Sequence, residues 1–171
     1  MDTKIITERL EIVPLSLEYA QDIFRELTRE ITTFMGPKPP EDIEETIAYI
    51  NSQLPKIESG GELPVVILNR QTKEFLGCGG IHELKTRTPK LGIWIKKSAH
   101  GNKYGQEAVK GLKEWAEKNL DYDYLRYPVD KQNIPSRKIP ESLGGVIKKE
   151  YKRKNESGKT LDEVEYWIYK Q

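Results

Sequence analysis

A chain of 171 residues can bury a hydrophobic core without disulfides or a structural metal, so a single domain over residues 1–171 is expected. Its 28 Lys and Arg nearly balance its 27 Asp and Glu, and the net charge of +1 gives no general reason to expect nucleic acid or a membrane as partner. One cysteine, two well-separated histidines and an N-terminus without the apolar core of a signal peptide argue against a disulfide, a metal site and secretion, and they predict a cytoplasmic protein.

The first third of the chain contains one strand pattern and two helix patterns. Residues 9–15 have strand composition, and apolar residues recur at helical spacing over 17–30. A proline-rich turn at 36–40 precedes a second predicted helix over 41–59. We expect that helix to kink or end near Pro55, because an interior proline removes one backbone hydrogen bond.

The middle of the chain changes to strands. Short apolar runs at 63–69, 74–84 and 90–97 are joined by turn residues, a pattern typical of an antiparallel meander. A glycine-containing turn at 100–105 then leads into the clearest helix pattern of the sequence, over 106–120.

The C-terminal part adds three strands and a short helix. A strand is predicted at 123–130 and a helix at 134–143, and strands at 144–153 and 162–171 flank a hairpin signature at 155–159. The element order predicts an α/β (α+β) fold with a single mixed, mostly antiparallel sheet flanked by helices.

The turn HGNKYG at 100–105 can be a plain connection or an anion site. A helix that begins directly after such a turn leaves N–H groups without intrahelical partners, and these groups, with the helix dipole, bind anions. Two glycines before a helix do not by themselves decide between these alternatives.

Four segments together resemble the GCN5-related N-acetyltransferase (GNAT) superfamily. They cover nearly the whole chain: TERLEIVPL (7–15), FLGCGGI (75–81), LGIWIKKSAHGNKYGQEAV (91–109) and VDKQNIPSRKIPESLGG (129–145). Within the superfamily the chain looks most like the ribosomal-protein-serine/alanine acetyltransferase branch. The resemblance implies the acyl-CoA N-acyltransferase fold, with a twisted sheet, and acetyl-CoA as cosubstrate.

The family's phosphate turn, Gln/Arg-x-x-Gly-x-Gly/Ala, falls on His100, Lys103 and Gly105, of which only Gly105 matches. Lys103 departs most, because glycine tolerates a positive φ and lets the backbone approach a pyrophosphate. Either the turn adopts a conformation that a non-glycine residue accepts, or binding is weakened, and the ammonium could itself contact a phosphate. The resemblance implies these coenzyme-binding residues: Ile93, Trp94, Ile95, His100, Gly101, Asn102, Lys103, Tyr104, Gly105, Gln106, Asn133 and Ser136.

Several of these residues have ordinary structural alternatives. Trp94 and its neighbours could be core residues, which still leaves their main chain free to pair with the pantetheine arm as an added strand would. Asn133 could be a helix-capping residue and Ser136 an ordinary first-turn residue.

The expected acid and base of the family are missing. Many relatives have a Glu five residues before the Asn and a Tyr seven residues after it, but here those positions hold Pro128 and Pro140. Our candidates for the base are Glu83 first and His82 second, since strand alternation lets only one of them face the cleft. The alternatives are a solvated strand end and a structural histidine.

Asp130 is a further candidate base, and Tyr104 or Ser136 could protonate the leaving thiolate. Cys78 lies in an apolar, glycine-rich run and is expected to be a buried thiol rather than an acetyl-carrying nucleophile. The basic run 148–154 reads as a solvated strand face rather than a nucleic-acid site.

These observations predict an acetyl-CoA-dependent N-acetyltransferase that moves an acetyl group to a primary amine, on a small molecule or a protein N-terminus, by direct attack in a ternary complex. The alternative is a catalytically weak or inactive CoA-binding module of the same fold. No metal, nucleic acid or membrane is expected to take part, and a homodimer is implied by the resemblance alone.

Overall fold

The apolar runs of the sequence form the strands of one sheet, and the amphipathic stretches form helices on its two faces. The computed structural model describes residues 3–171, so the first two residues of the N-terminal stretch lie outside it. The strands are β1 (Ile5–Ile6), β2 (Leu10–Pro14), β3 (Leu63–Asn69), β4 (Phe75–His82), β5 (Lys90–Ile95), β6 (Tyr124–Asp130), β7 (Val146–Lys154) and β8 (Thr160–Tyr169). The helices are α1 (Ala20–Glu26), α2 (Ile43–Glu58), α3 (Tyr104–Asn119) and α4 (Ile134–Ser142), with 3-10 turns at Leu17–Tyr19, Ile31–Phe34 and Lys97–Ala99.

The sheet has eight strands in the order β1-β2-β3-β4-β5-β6-β8-β7. Its neighbours are antiparallel except β5 and β6, which are parallel. The predicted fold class, meander and C-terminal hairpin are therefore confirmed. The short strand β1 was not predicted, because two residues carry too little pattern to be recognised.

The core lies on both faces of the sheet. Alternate residues of β3 point to opposite layers, as strand geometry requires. Val65 and Ile67 belong to the apolar cluster beneath α3, whereas Val66 and Leu68 belong to the cluster beneath α1 and α2. All four side chains are buried, so β3 lies at the centre of a three-layer arrangement.

Two helix boundaries differ from the sequence prediction. Helix α1 ends at Glu26 rather than near residue 30, and the Thr28 hydroxyl accepts the Ile31 N–H to begin a separate turn. Threonine side chains commonly compete with helical hydrogen bonds in this way. Helix α2 does not end at Pro55 but continues to Glu58, so the helix accommodates the backbone hydrogen bond that Pro55 cannot donate.

Candidate active site

The sheet opens between its two parallel strands. Strands β5 and β6 share a single register pair, Lys90–Arg126, and then separate. Within residues 3–171 no strand pairs with the free edge of β5 beyond Lys90. A cavity of about 460 Å³ lies at this opening and extends past β5 to α2 and the loop before it; we call it the strand cleft. Its walls include Leu91, Gly92, Ile93, Tyr127, Val129, Asn133 and Ser136.

The free edge of β5 presents main chain rather than side chains to the cleft. Trp94 packs its ring against Phe75 on the α1 and α2 side, with the ring centroids 6.0 Å apart. Ile93 and Ile95 pack against the core beneath α3. The side chains of the predicted pantetheine segment thus belong to the two cores, and its backbone is left for a ligand.

The predicted phosphate turn lies at the end of this edge and is held by hydrogen bonds from side chains. His100 Nε2 lies 2.7 Å from the Ile95 carbonyl oxygen, and Asn102 Nδ2 donates to the Ala99 carbonyl at 3.0 Å. Arg9 Nη2 donates to the Asn102 carbonyl at 2.9 Å. His100 and Asn102 therefore shape the turn from within, and Arg9 brings a cation beside it.

The first turn of α3 is anchored through Glu107. Its carboxylate accepts hydrogen bonds from the Thr7 hydroxyl, the Arg9 backbone N–H at 2.8 Å and Arg9 Nε at 2.7 Å. The Arg9 guanidinium also lies 4.6 Å from the centre of the Tyr104 ring. Glu107 is thus bound to the turn between β1 and β2, and the N–H groups of α3 that precede Glu107 remain without intrahelical acceptors, which suits an anionic ligand.

Lys103 adopts the left-handed conformation that glycine would favour. It precedes α3 with φ 61° and ψ 25°, and Gly101 has φ 85°. The lysine therefore retains the backbone path of the family's glycine, at a conformational cost of roughly 1–2 kcal/mol. Of the two possibilities for the turn, this geometry favours the one in which the cradle is preserved.

We expect Lys103→Gly to raise the free energy of unfolding by about 0.5–1 kcal/mol, because relief of left-handed strain outweighs the added chain entropy of glycine. If the exposed ammonium contacts a phosphate, the same change should weaken coenzyme A binding by up to about fivefold at low salt. Added salt should shrink that difference. Urea unfolding and calorimetry check the two effects, with Lys103→Arg as the charge-preserving control. Weaker binding that is independent of salt would contradict the charge contribution.

Gly105 has a packing role. A Cβ built on it would lie 3.1 Å from Ile139 Cδ1 and 3.9 Å from Ile95 Cγ1. A large side chain at this position would therefore push α3 away from α4 rather than fill only the phosphate turn. A Gly105→Trp variant would test helix packing at least as much as coenzyme binding.

Asn133, Ser136 and Tyr127 form the opposite wall of the strand cleft. Asn133 stands at the N-terminus of α4, but within residues 3–171 its side chain makes no capping hydrogen bond. This disfavours the simple capping interpretation. Ser136 Oγ lies 2.7 Å from the hydroxyl oxygen of Tyr127, whose side chain is buried. Burial raises the pKa of Tyr127 to about 12, so its hydroxyl is protonated at neutral pH.

His82 is paired with Glu62, a residue that the sequence analysis did not single out. The distance from His82 Nδ1 to Glu62 Oε2 is 2.9 Å, and the same oxygen accepts the Glu83 backbone N–H at 3.1 Å. A carboxylate can only accept, so the neutral imidazole carries its proton on Nδ1 and leaves Nε2 unprotonated. Burial lowers the pKa of His82 below its usual 6.5, and the charge of Glu62 only partly opposes this.

Two glycines lie next to the His82 ring. Gly80 and Gly92 are register partners on β4 and β5. A Cβ on Gly80 would lie 3.3 Å from His82 Nε2, and one on Gly92 would lie 3.9 Å from it. The imidazole therefore lies over this glycine pair, and its unprotonated nitrogen is next to the edge of the strand cleft.

Glu83 and Asp130 are engaged elsewhere. Glu83 has φ 59°, outside the strand, and its carboxylate forms an ion pair with Arg126. The two oxygens of the buried Asp130 accept the backbone N–H groups of Gln132 at 2.8 Å and Asp162 at 3.0 Å. This geometry favours a structural role for Asp130 and ranks His82 above Glu83 as a base.

A second cavity, of about 340 Å³, lies between the sheet and helices α1 and α2. We call it the inner chamber. The imidazole of His82 lies where the two spaces meet, since it belongs to the six wall residues that the chamber shares with the strand cleft, which are Met35, Pro37, Tyr49, His82, Gly92 and Ile93. Cys78 also lines the chamber, and burial raises the pKa of its thiol, which fits the expected inert thiol.

A mixed sheet that opens at its parallel strand pair, with a helix N-terminus at the end of the opening, defines the acyl-CoA N-acyltransferase fold. The family model for the acetyltransferase (GNAT) domain matches residues 9–146, and the chain belongs to that family. It is therefore an N-acetyltransferase, as the sequence predicted.

Solved structures share the fold across the whole chain. A protein from Vibrio cholerae, proposed to be a ribosomal-protein-serine acetyltransferase, is 18% identical, with 98% of each chain covered and a TM-score of 0.81. A GNAT-family acetyltransferase from Bacillus anthracis is 16% identical, with 98% of this chain and 99% of that chain covered and a TM-score of 0.85. RimL, a ribosomal L7/L12 alpha-N-protein acetyltransferase in complex with coenzyme A, is 14% identical, with 98% of each chain covered and a TM-score of 0.87. Among curated proteins, no sequence matches this chain significantly.

Sequence reasoning missed several residues of the site, among them Glu62 and Tyr127. Glu62 follows the Gly60–Gly61 turn and carries no motif of its own. Tyr127 occupies an alternating position of a predicted strand, where an aromatic residue indicates core packing. A buried tyrosine usually finds a hydrogen-bond partner, which is the one signal that could have drawn attention to it.

Two negative findings hold for residues 3–171. None of the helices there is long and apolar enough to cross a membrane. In the same range no group of three or more His, Cys, Asp or Glu side chains is arranged to hold a metal ion.

Proposed function

We propose that this chain, as one domain, transfers an acetyl group from acetyl-CoA to a primary amine of a small molecule or a protein N-terminus by direct attack in a ternary complex. The observation that carries the proposal is the position of His82. Its unprotonated Nε2 lies where the strand cleft meets the inner chamber, and its Nδ1 is held by Glu62. A donor in the cleft and an acceptor in the chamber would meet at this nitrogen.

The strand cleft fits the coenzyme. The edge of β5 offers unpaired main chain, the turn at 100–105 offers N–H groups beside Arg9, and Asn133 offers an uncommitted amide. Coenzyme A, when bound, supplies the acetyl thioester. The chain's part is to align that thioester, since correct orientation alone can account for a large share of the rate.

His82 would act as the general base. An alkylammonium must lose a proton before its nitrogen can attack, and Nε2 is available to take it because burial keeps the imidazole neutral near pH 7. Glu62 fixes the tautomer and would stabilise the imidazolium that forms, in the manner of an acidic residue behind a catalytic histidine.

Tyr127 would act as the general acid. Its hydroxyl stays protonated near neutral pH and is aligned by Ser136 at 2.7 Å. It would donate a proton to the departing sulfur, and Ser136 would supply the hydrogen bond that orients it. These roles replace those of the family's missing Glu and Tyr.

Purified protein is expected to bind coenzyme A and to release free thiol from acetyl-CoA only when an amine acceptor is present. Calorimetry measures the first property, and a thiol assay with mass analysis of the acceptor measures the second. Binding without any thiol release across polyamines, aminoglycosides, amino acids and peptides would favour the inactive module. Absence of binding at millimolar coenzyme would overturn the proposal altogether. The cytoplasmic location and the homodimer stay predictions.

A further inference from the structure

The inner chamber is apolar in its interior, which bears on the unknown acceptor. Its wall is built mainly from buried or half-buried hydrophobic side chains of α1, α2 and the facing strands. They include Leu15, Ile23, Leu27, Met35, Val65 and Trp94. A volume of about 340 Å³ is at the small end of ligand pockets, which run from roughly 300 to 1,000 Å³.

The charged groups of the chamber are few and lie at its mouth. Lys38, Glu45 and Glu156 are exposed, and the Glu45 carboxylate already accepts the Glu41 backbone N–H at 3.1 Å. Two acidic groups and one basic group do not form a cage for a polycation. Several ammonium groups brought into this interior would lose water without gaining partners, at a prohibitive cost.

The mouth of the chamber is a fixed structure. The loop after α1 is tied to the β7–β8 turn, where the Glu156 N–H donates to the Gly36 carbonyl at 2.9 Å and Asn155 Nδ2 donates to the Met35 carbonyl at 3.1 Å. In the wall, Thr46 is 3% exposed and its hydroxyl has no hydrogen-bond partner within residues 3–171. The chamber is therefore preformed, apolar and provided with one unsatisfied buried hydroxyl.

We infer that the inner chamber receives an apolar substituent of the acceptor, so that the preferred substrate is a primary amine carrying an aliphatic or aromatic side chain of about amino-acid size, with its nitrogen directed to His82 Nε2. This inference rests on the proposed function. An acetyl group from the strand cleft is too small to fill the chamber, which leaves the space to the acceptor.

The test is a matched panel of amino-acid amides that share one α-amine and differ in side chain. Phenylalanine, leucine and methionine amides should exceed glycine amide in kcat/KM by about 10–100-fold, since each buried methylene contributes about fourfold. Aspartate and lysine amides and spermidine should be the poorest acceptors. A flat panel, or a preference for cationic amines, would overturn the inference while leaving the enzyme's activity intact.

A chamber-filling variant locates the effect. Leu27→Trp should lower kcat/KM for phenylalanine amide at least tenfold, leave glycine amide within about threefold and leave coenzyme affinity unchanged. Leu17→Trp, at a 46% exposed position that lines neither cavity, is the matched control and should change none of these. An equal loss of kcat/KM for both amides would show that the chamber does not bind the side chain of the acceptor.

Two further arms separate this inference from the proposed function. In the first, hexanoyl-CoA is compared with acetyl-CoA as the acyl donor. If the wild type prefers hexanoyl-CoA and Leu27→Trp abolishes that preference, the chamber holds the acyl chain and the inference is wrong. If no amine is acetylated, calorimetry with phenylalanine amide decides. Binding that Leu27→Trp abolishes would support the chamber's preference without the activity, and no binding would overturn the inference.

Discussion

Replacement of His82 by Gln is expected to lower kcat by about 10²–10⁴-fold, the usual contribution of a positioned general base. Gln keeps a polar side chain of similar length over the Gly80–Gly92 pair but cannot accept a proton at neutral pH. Coenzyme A affinity should be unchanged, because the ring borders the cleft without belonging to the phosphate turn. Steady-state kinetics and calorimetry on the same preparation measure both quantities.

Variants of two neighbouring carboxylates complete this prediction, Glu83→Gln as the control and Glu62→Gln as a second test of the His82 base. Glu83→Gln, which loses only the ion pair with Arg126, should change kcat by less than about threefold. Glu62→Gln should lower kcat and move the acid limb of its pH profile to lower pH. Burial lowers the pKa of His82 and the charge of Glu62 raises it, so removal of that charge lowers the pKa of His82 further. A large loss in Glu83→Gln with none in His82→Gln would transfer the base to Glu83.

Tyr127→Phe is expected to lower kcat by about 10²-fold or more through loss of the proton donor to the sulfur. The phenyl ring fills the same buried space, so the main structural change is the lost hydrogen bond to Ser136, worth about 1–3 kcal/mol when the remaining hydroxyl is left unsatisfied. Kinetics should therefore change far more than folding. Thermal unfolding and single-turnover rates distinguish the two.

Tyr166→Phe provides a matched control for the tyrosine. Tyr166 is equally buried and hydrogen-bonds to Glu141 and Arg137, but it lines neither cavity. The Tyr166→Phe variant should lose about as much stability as Tyr127→Phe, but its kcat should be unchanged. An unchanged rate in Tyr127→Phe, with Ser136→Ala also unaffected, would contradict the assignment of the acid.

The fold could be predicted from the sequence because its signals are local. Local patterns predict the elements: alternating apolar residues indicate the strands, the amphipathic face indicates α3, and the turn at 155–159 indicates the hairpin. The order of these elements predicts a single sheet. Two helix ends are the exceptions. Helix α1 ends at Glu26, ahead of a separate turn in which Thr28 accepts the Ile31 N–H, and α2 passes Pro55 and ends at Glu58.

The site was predictable only where it is contiguous. The turn at 100–105 and the residues at 133–136 lie together in sequence, and family resemblance reaches them. The pair of His82 and Glu62 is twenty residues apart and depends on the register of β3 against β4, which no local pattern reveals. Strand alternation does not decide between Glu83 and His82, because β4 ends at His82 and Glu83 leaves the strand with a positive φ.

Single-turnover transfer tests the central claim most directly, with wild-type and His82→Gln protein compared at saturating acetyl-CoA and one amine acceptor. We predict that both proteins bind coenzyme A equally, that the wild type moves the acetyl group to the acceptor nitrogen, and that the variant does so at least a hundredfold more slowly. Equal transfer rates in the two proteins, with the product confirmed by mass, would contradict the account.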